Sequence, residues 1–93
     1  MENAVYHDVV NRHFEIEVDG RAAYIEYQEN LNTFVLNYTH IPEQLLGKGV
    51  LKRLVDAVIH FISGKRYQLV PVDIMFKSYL HYHPECLVPL RVS

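Results

Sequence analysis

The sequence predicts a small α+β domain with a mostly antiparallel sheet and elements in the order β-β-β-α-β-α. Three observations carry that expectation. Two-residue alternation runs into an Asp-Gly pair and resumes beyond it, a later segment repeats its apolar residues at helical spacing, and a short apolar run containing proline separates that segment from a second helix signal. Runs of strands followed by helices of this kind describe a mixed domain.

From His13 to Val18, Phe14, Ile16 and Val18 alternate with His13, Glu15 and Glu17, the period of a strand with one wet face. Asp19-Gly20 then supplies a hairpin turn, because glycine accepts positive φ and aspartate tolerates it, so Arg21 to Gln28 should return antiparallel. Glu29-Asn30-Leu31-Asn32 forms a second turn, and Thr33 to His40 is β-branched and aromatic enough for a third strand that stops before Pro42. Val50 to Ser63 places Leu51, Leu54, Val55, Val58 and Ile62 on one helical face and Lys52, Asp56 and His60 on the other. Gly64 follows at the expected left-handed terminus, with Lys65 and Arg66 near the negative end of the dipole. Tyr67 to Val72 reads as a fourth strand, placed at an edge or a split because Pro71 cannot donate to a ladder. A last helix is expected from about Ile74 to Tyr82, N-capped by Asp73 and ended by Pro84; Cys86 to Ser93 carries no pattern.

A chain of 93 residues, 49% hydrophobic and 22% charged, has enough apolar surface for one compact domain over residues 1–93 and little room for a second site. Eleven acidic against nine basic residues give a net charge of -2, so no broad positive field attracts phosphate backbones and nucleic acid is not an expected partner. A lone cysteine, Cys86, no export-type leader and no apolar run near ~20 residues point to a soluble cytoplasmic protein without a membrane partner.

Between the third strand and the first helix lies Gln44-Leu45-Leu46-Gly47-Lys48-Gly49. A glycine-containing loop opening a helix is an anion site in physical terms: unpaired amides and the positive helix end point at one place, glycines admit close approach, and Lys48 adds charge. The same two glycines also suit an ordinary turn.

The spacing Gln44-x-x-Gly47-x-Gly49 resembles the coenzyme A signature of the GNAT acetyltransferases. Thr39-x-Ile41-Pro42, Val70-Pro71 and Tyr79-Leu80-x-x-His83-Pro84 resemble more narrowly the small GNAT-like proteins of about one hundred residues, and the likeness runs from Asn11 to about Leu90. It implies an abbreviated GNAT-like fold in which strands ending near His40 and Val72 splay apart and admit the pantetheine arm of acetyl-CoA. Backbone amides of Thr39, His40 and Ile41 would hold that arm. The pyrophosphate would rest on Gly47, Lys48, Gly49 and Val50, with Gln44 and Leu45 completing the loop. Some relatives carry a cysteine where Asp73 stands, so an acyl-cysteine step there is excluded.

The implied activity is an N-acyltransferase moving acetyl directly to a small-molecule or protein amine. The alternative is a non-catalytic coenzyme A-binding or sensing module, and a third reading is an interaction domain whose glycines only turn the chain. Transfer needs an acid for the departing thiolate and a base for the amine. Tyr79 matches the family position of the acid, though it also suits core packing. Asp73 or His40 would be the base, against the plainer roles of N-cap and solvated strand residue. His81, His83 and Cys86 suggest a metal, but a helix splays His81 and His83 by about 200° and no metal is expected. An open half-domain can bury its exposed sheet edge by forming a homodimer.

Overall fold

The computed structural model describes residues 4–91. The expected domain span of 1–93 and the unpatterned tail to Ser93 extend further, so residues 1–3 and 92–93 lie outside the described ones. Within those bounds the chain forms β1 (Tyr6–Asp8), β2 (His13–Val18), β3 (Arg21–Asn30), β4 (Thr33–His40), α1 (Val50–Ile62), β5 (Gln68–Pro71), α2 (Ile74–Tyr82) and α3 (Val88–Arg91), with 3-10 turns at Glu43–Leu45 and Pro84–Leu87. The sheet order is β1-β2-β3-β4-β5. β1 to β4 pair antiparallel and β5 joins β4 in parallel, making the sheet mixed. The expected order β-β-β-α-β-α therefore misses a leading strand and a closing helix.

β1 escapes sequence reading because its three residues show no alternation. It is held instead by the His7 ring, stacked 4.0 Å from Phe14 and edge-on at 4.4 Å to Phe61, with Nε2 2.6 Å from the Tyr27 hydroxyl. The last 3-10 turn and α3 are placed by tertiary packing, since Leu87 and Leu90 lean on the core. Helix propensity had little to decide there.

The strands that were legible follow their alternation. Phe14 and Ile16 of β2, Ala23, Ile25 and Tyr27 of β3, and Phe34 and Leu36 of β4 are buried beneath α1, which contributes Val50, Leu54, Val55, Val58, Ile59 and Ile62. At the first turn Asp19 and Gly20 take φ of 53° and 76°, the left-handed pair that a two-residue hairpin requires. Among the described residues no helix is long and apolar enough to cross a membrane.

One irregularity reorders the end of β4. Tyr27 pairs with Leu36 but Glu26 pairs with Tyr38, so Asn37 bulges out of the ladder. A bulge inserts one residue and reverses the alternation beyond it. Tyr38 is consequently exposed and Thr39 buried, where unbroken alternation would have put them the other way round.

Burial holds the His7 pKa below its ordinary value of 6.5, the pull of Glu29 opposing it. As pH falls through about 6.5 the unfolded chain takes up this proton before the folded one, so folded stability drops on acidification. The melting temperature should fall less steeply across this window in His7→Phe, whose ring keeps the stack without the proton. Equal slopes in both proteins, followed by calorimetry, would remove His7 as the cause.

Candidate functional site

The glycine loop is built as a left-handed hinge between two helical segments. The 3-10 turn closes with Leu45 N–H donating to Pro42 O (2.9 Å) and Leu46 N–H to Glu43 O (3.2 Å), after which Gly47 and Gly49 take φ of 80° and 74°. α1 then starts at Val50 with no side-chain cap. Lys48 N–H donates to Leu45 O at 3.3 Å. The amides of Gly47, Gly49, Val50, Leu51 and Lys52 have no protein acceptor among the described residues. These unpaired donors gather at the positive end of α1, the physical form of an anion seat. Of the amides expected there, Lys48's is engaged, and Leu51 and Lys52 add two that the sequence reading did not name. Lys48 Nζ rests 3.4 Å from Asp19 Oδ2, both well exposed, a pairing weak enough to exchange for a phosphate. Gln44 is exposed and Leu45 buried in the core.

A cleft leads away from the loop. A cavity of about 250 Å3 is lined by Ile41, Gly47, Gly49, Leu51, Met75 and Tyr79 among others. A second of about 520 Å3 shares Leu51, Met75 and Tyr79 with it and continues to Tyr82 and His83. The wall is mainly apolar, as a pocket for an extended ligand arm requires. A larger cavity of about 830 Å3 lies at the far end of α1, around Gly64 to Gln68 and Asn32. Volume alone does not select a site, and that hollow holds neither the glycine loop nor Tyr79.

The open end of β4 forms the inner margin. β5 leaves the ladder after Pro71, and Leu36 O accepts from both Val72 N–H and Asp73 N–H at 3.0 Å. Beyond that point Asp73 bridges the gap: Oδ1 accepts from Thr39 N–H at 3.0 Å and Oδ2 from Phe76 N–H at 2.8 Å. The second of these bonds is the N-cap expected for α2. The Thr39 amide, expected to face a ligand, is thus already satisfied. The His40 amide faces β3 by alternation along the strand, and Ile41 N–H has no acceptor among the described residues. Thr39 Oγ1, by contrast, is buried without a hydrogen-bond partner, a state that a native interior rarely leaves unanswered.

Tyr79 reaches the cleft from α2, its ring 4.5 Å from that of His83. Desolvation, aided by Asp56 and opposed by Lys52, raises its phenol above 10.0, so the proton stays on Oη at neutral pH. His40 lies across the sheet, pairing with Tyr24 on the face away from α1. Asp73, His40 and Tyr79 are therefore not brought to one point. His83 approaches Glu85 (3.4 Å) and His81 turns against Tyr82. Among the described residues no three His, Cys, Asp or Glu side chains converge on a metal position.

The donor set fits a nucleotide thioester: unpaired amides for a diphosphate and an apolar cleft for the arm. A family model described as GCN5-related N-acetyl-transferase matches residues 13–88. A comparison with curated proteins gives no match.

Proposed function

The chain belongs to the GCN5-related N-acetyltransferase family, and from that premise we propose that it binds acetyl-CoA at the glycine loop and passes the acetyl group directly to an amine. The observation that carries the reading is the gathering of the Gly47, Gly49, Val50, Leu51 and Lys52 amides at the mouth of a cleft walled by Tyr79. Those amides hold the diphosphate and Lys48 leaves Asp19 to add its charge. Ile41 N–H, at the rim of the same cleft, hydrogen-bonds the amide-bearing arm along the apolar wall. Acetyl-CoA, when bound, supplies an activated acetyl thioester.

Tyr79 Oη keeps its proton because burial disfavours the phenolate, and that proton is the one available to a departing sulfur. Tyr79→Phe should lower kcat about a hundredfold while leaving acetyl-CoA affinity near that of the parent, the signature of an interaction made only during transfer. A matching loss of affinity would make Tyr79 a wall residue. Since its pKa lies above 10.0, activity depending on this proton should persist to pH 10 and decline only beyond it.

Calorimetric titration with acetyl-CoA, followed by assay of free thiol over a panel of amines, tests the reading. Heat of binding with amine-dependent thiol release supports it; no binding at millimolar ligand removes it. A second reading, a coenzyme A-binding module without turnover, draws support from Asp73, whose two oxygens are both engaged in structure and offer no free base. Binding without thiol release on any acceptor would favour that module.

A further inference from the structure

β1 is the first element of the fold and an edge of the sheet, held by its pairing with β2 and by the His7 ring among Phe14, Tyr27 and Phe61. The residues that join it to β2, Val9-Val10-Asn11-Arg12, suit a turn poorly. Val9 and Val10 are β-branched and 63% and 89% exposed, where turns favour glycine, proline and small polar residues. Arg12 takes φ 55°, a left-handed setting that is costly for a residue with a Cβ, while Asn11, which tolerates it better, stands one place early. The bonds that close the turn are exposed to water: Asp8 Oδ1 accepts from Asn11 N–H at 3.0 Å and Oδ2 from Asn11 Nδ2 at 2.8 Å.

In extended form the same residues have partners on both sides. β3 continues to Asn30, whereas its pairing with β2 ends at Glu26 opposite His13; Arg12 O still accepts from Tyr27 N–H at 3.0 Å, and Gln28, Glu29 and Asn30 have no described strand beside them on that side. The same register, prolonged, sets Asn11 opposite Gln28, Val10 opposite Glu29 and Val9 opposite Asn30, so a straightened hinge fills an open ladder edge. On the β1 side, His7 pairs with Phe14 and Asp8 with His13. Prolonged through the hinge, that register sets Val9 of one chain opposite Arg12 of another and Val10 opposite Asn11. It reads the same from either chain and so carries a two-fold axis at its centre. Valine in mid-strand also sits where a β-branched side chain packs best.

We propose that two copies of this chain exchange β1: the hinge from Val9 to Arg12 straightens, and β1 of each copy takes the seat beside β2 of the other. The pairing and ring contacts of β1 are kept, now between chains, which makes exchange of an identical element a low-cost route to a dimer, and a short strained hinge invites it. Each copy relieves Arg12, pairs the tail of β3 and moves two valines out of an exposed turn. It gives up only the Asp8–Asn11 bonds, which water replaces at small cost. Charge at the seam permits the exchange: Asp8 still faces His13, Glu15 still faces Tyr6, and Arg12 falls opposite an uncharged Val9. Glu17 and Arg21 lie at the far end of β2 and β3. Lys48 reaches Asp19 at that far end too, so the glycine loop stands away from the seam and the inference holds whether or not the chain binds acetyl-CoA.

Light scattering on the intact chain, after incubation near its melting temperature so that β1 can open, should find a dimer whose share grows from micromolar to millimolar protein. Disulfide trapping in a Cys86→Ser background identifies the exchanged strand. Tyr6→Cys and Glu15→Cys, cross-strand partners on β1 and β2, are made in two differently tagged chains. The Cα atoms of such partners lie about 4.5–5.5 Å apart, within the reach of a disulfide. Mixed, incubated and oxidised, the two chains should join tag to tag at least about tenfold more than Tyr6→Cys mixed with Lys77→Cys, whose cysteine lies on α2. Arg12→Gly, which takes the left-handed φ without strain, should weaken dimerisation at least about tenfold. A chain that stays monomeric at every concentration overturns the proposal. So does a dimer that joins tags no better than the Lys77 pair, or an Arg12→Gly protein that dimerises as tightly as the parent.

Discussion

Replacing Gly49 by glutamate should reduce acetyl-CoA affinity more than a hundredfold. Two physical effects act at this position, and they can be separated. The first is backbone strain: Gly49 sits at φ 74°, where a residue with a Cβ costs about 1–2 kcal/mol. The second is charge, since a carboxylate beside the unpaired amides both competes for them and repels a diphosphate. At an effective dielectric near 20, like unit charges about 4 Å apart cost about 4 kcal/mol, beyond the ~2.7 kcal/mol that a hundredfold requires. A Cβ at Gly49 meets nothing within 4 Å, so alanine introduces strain without overlap. Gly49→Ala should therefore lower the melting temperature by several degrees, about 4–8 °C per kcal/mol for a domain this size, and weaken binding far less than glutamate does. Calorimetry on both variants decides the matter. A glutamate variant that binds acetyl-CoA within about threefold of the parent, well under 1 kcal/mol, would show that the phosphates do not rest here.

Why this loop could be read from sequence while its surroundings could not follows from the range of the interactions involved. The alternation of Phe14, Ile16 and Val18, the Asp19-Gly20 turn, the helical face of Leu54, Val55 and Val58, and the Asp73 cap are decided by residues within a few positions of one another. Local pattern suffices for such elements. The Asn37 bulge has no local signature, because it exists only relative to the register of β3. Yet it is the bulge that buries Thr39 and turns Tyr38 outward. The Thr39 to Asp73 bond spans 34 residues and converts two positions expected to serve a ligand and a proton into partners of each other. Cross-strand placement was equally hidden: Glu15 reads as the wet side of one strand, and only pairing sets it opposite Tyr24.

Asp73→Ala should be the most damaging single change to a polar side chain near the cleft. Its carboxylate performs two jobs at once, capping α2 through Phe76 N–H and closing the gap to β4 through Thr39 N–H. Loss of an N-cap costs typically ~1 kcal/mol. The Thr39 amide would be left unpaired in a residue only 5% exposed, and a buried donor without a partner costs about 1–3 kcal/mol. Together these predict about 2–4 kcal/mol and a melting temperature lower by about 8–30 °C. The carboxamide in Asp73→Asn retains one acceptor oxygen and should recover the cap but not both bonds, giving roughly half the loss. The pair of variants also separates structure from chemistry. If the carboxylate only staples β4 to α2, transfer measured below each variant's melting temperature should track the folded fraction and the acetyl-CoA affinity. An asparagine variant that melts like the parent, binds acetyl-CoA like the parent and yet releases no thiol would make Asp73 the base, and the two engaged oxygens would then have to let go of an amide during turnover.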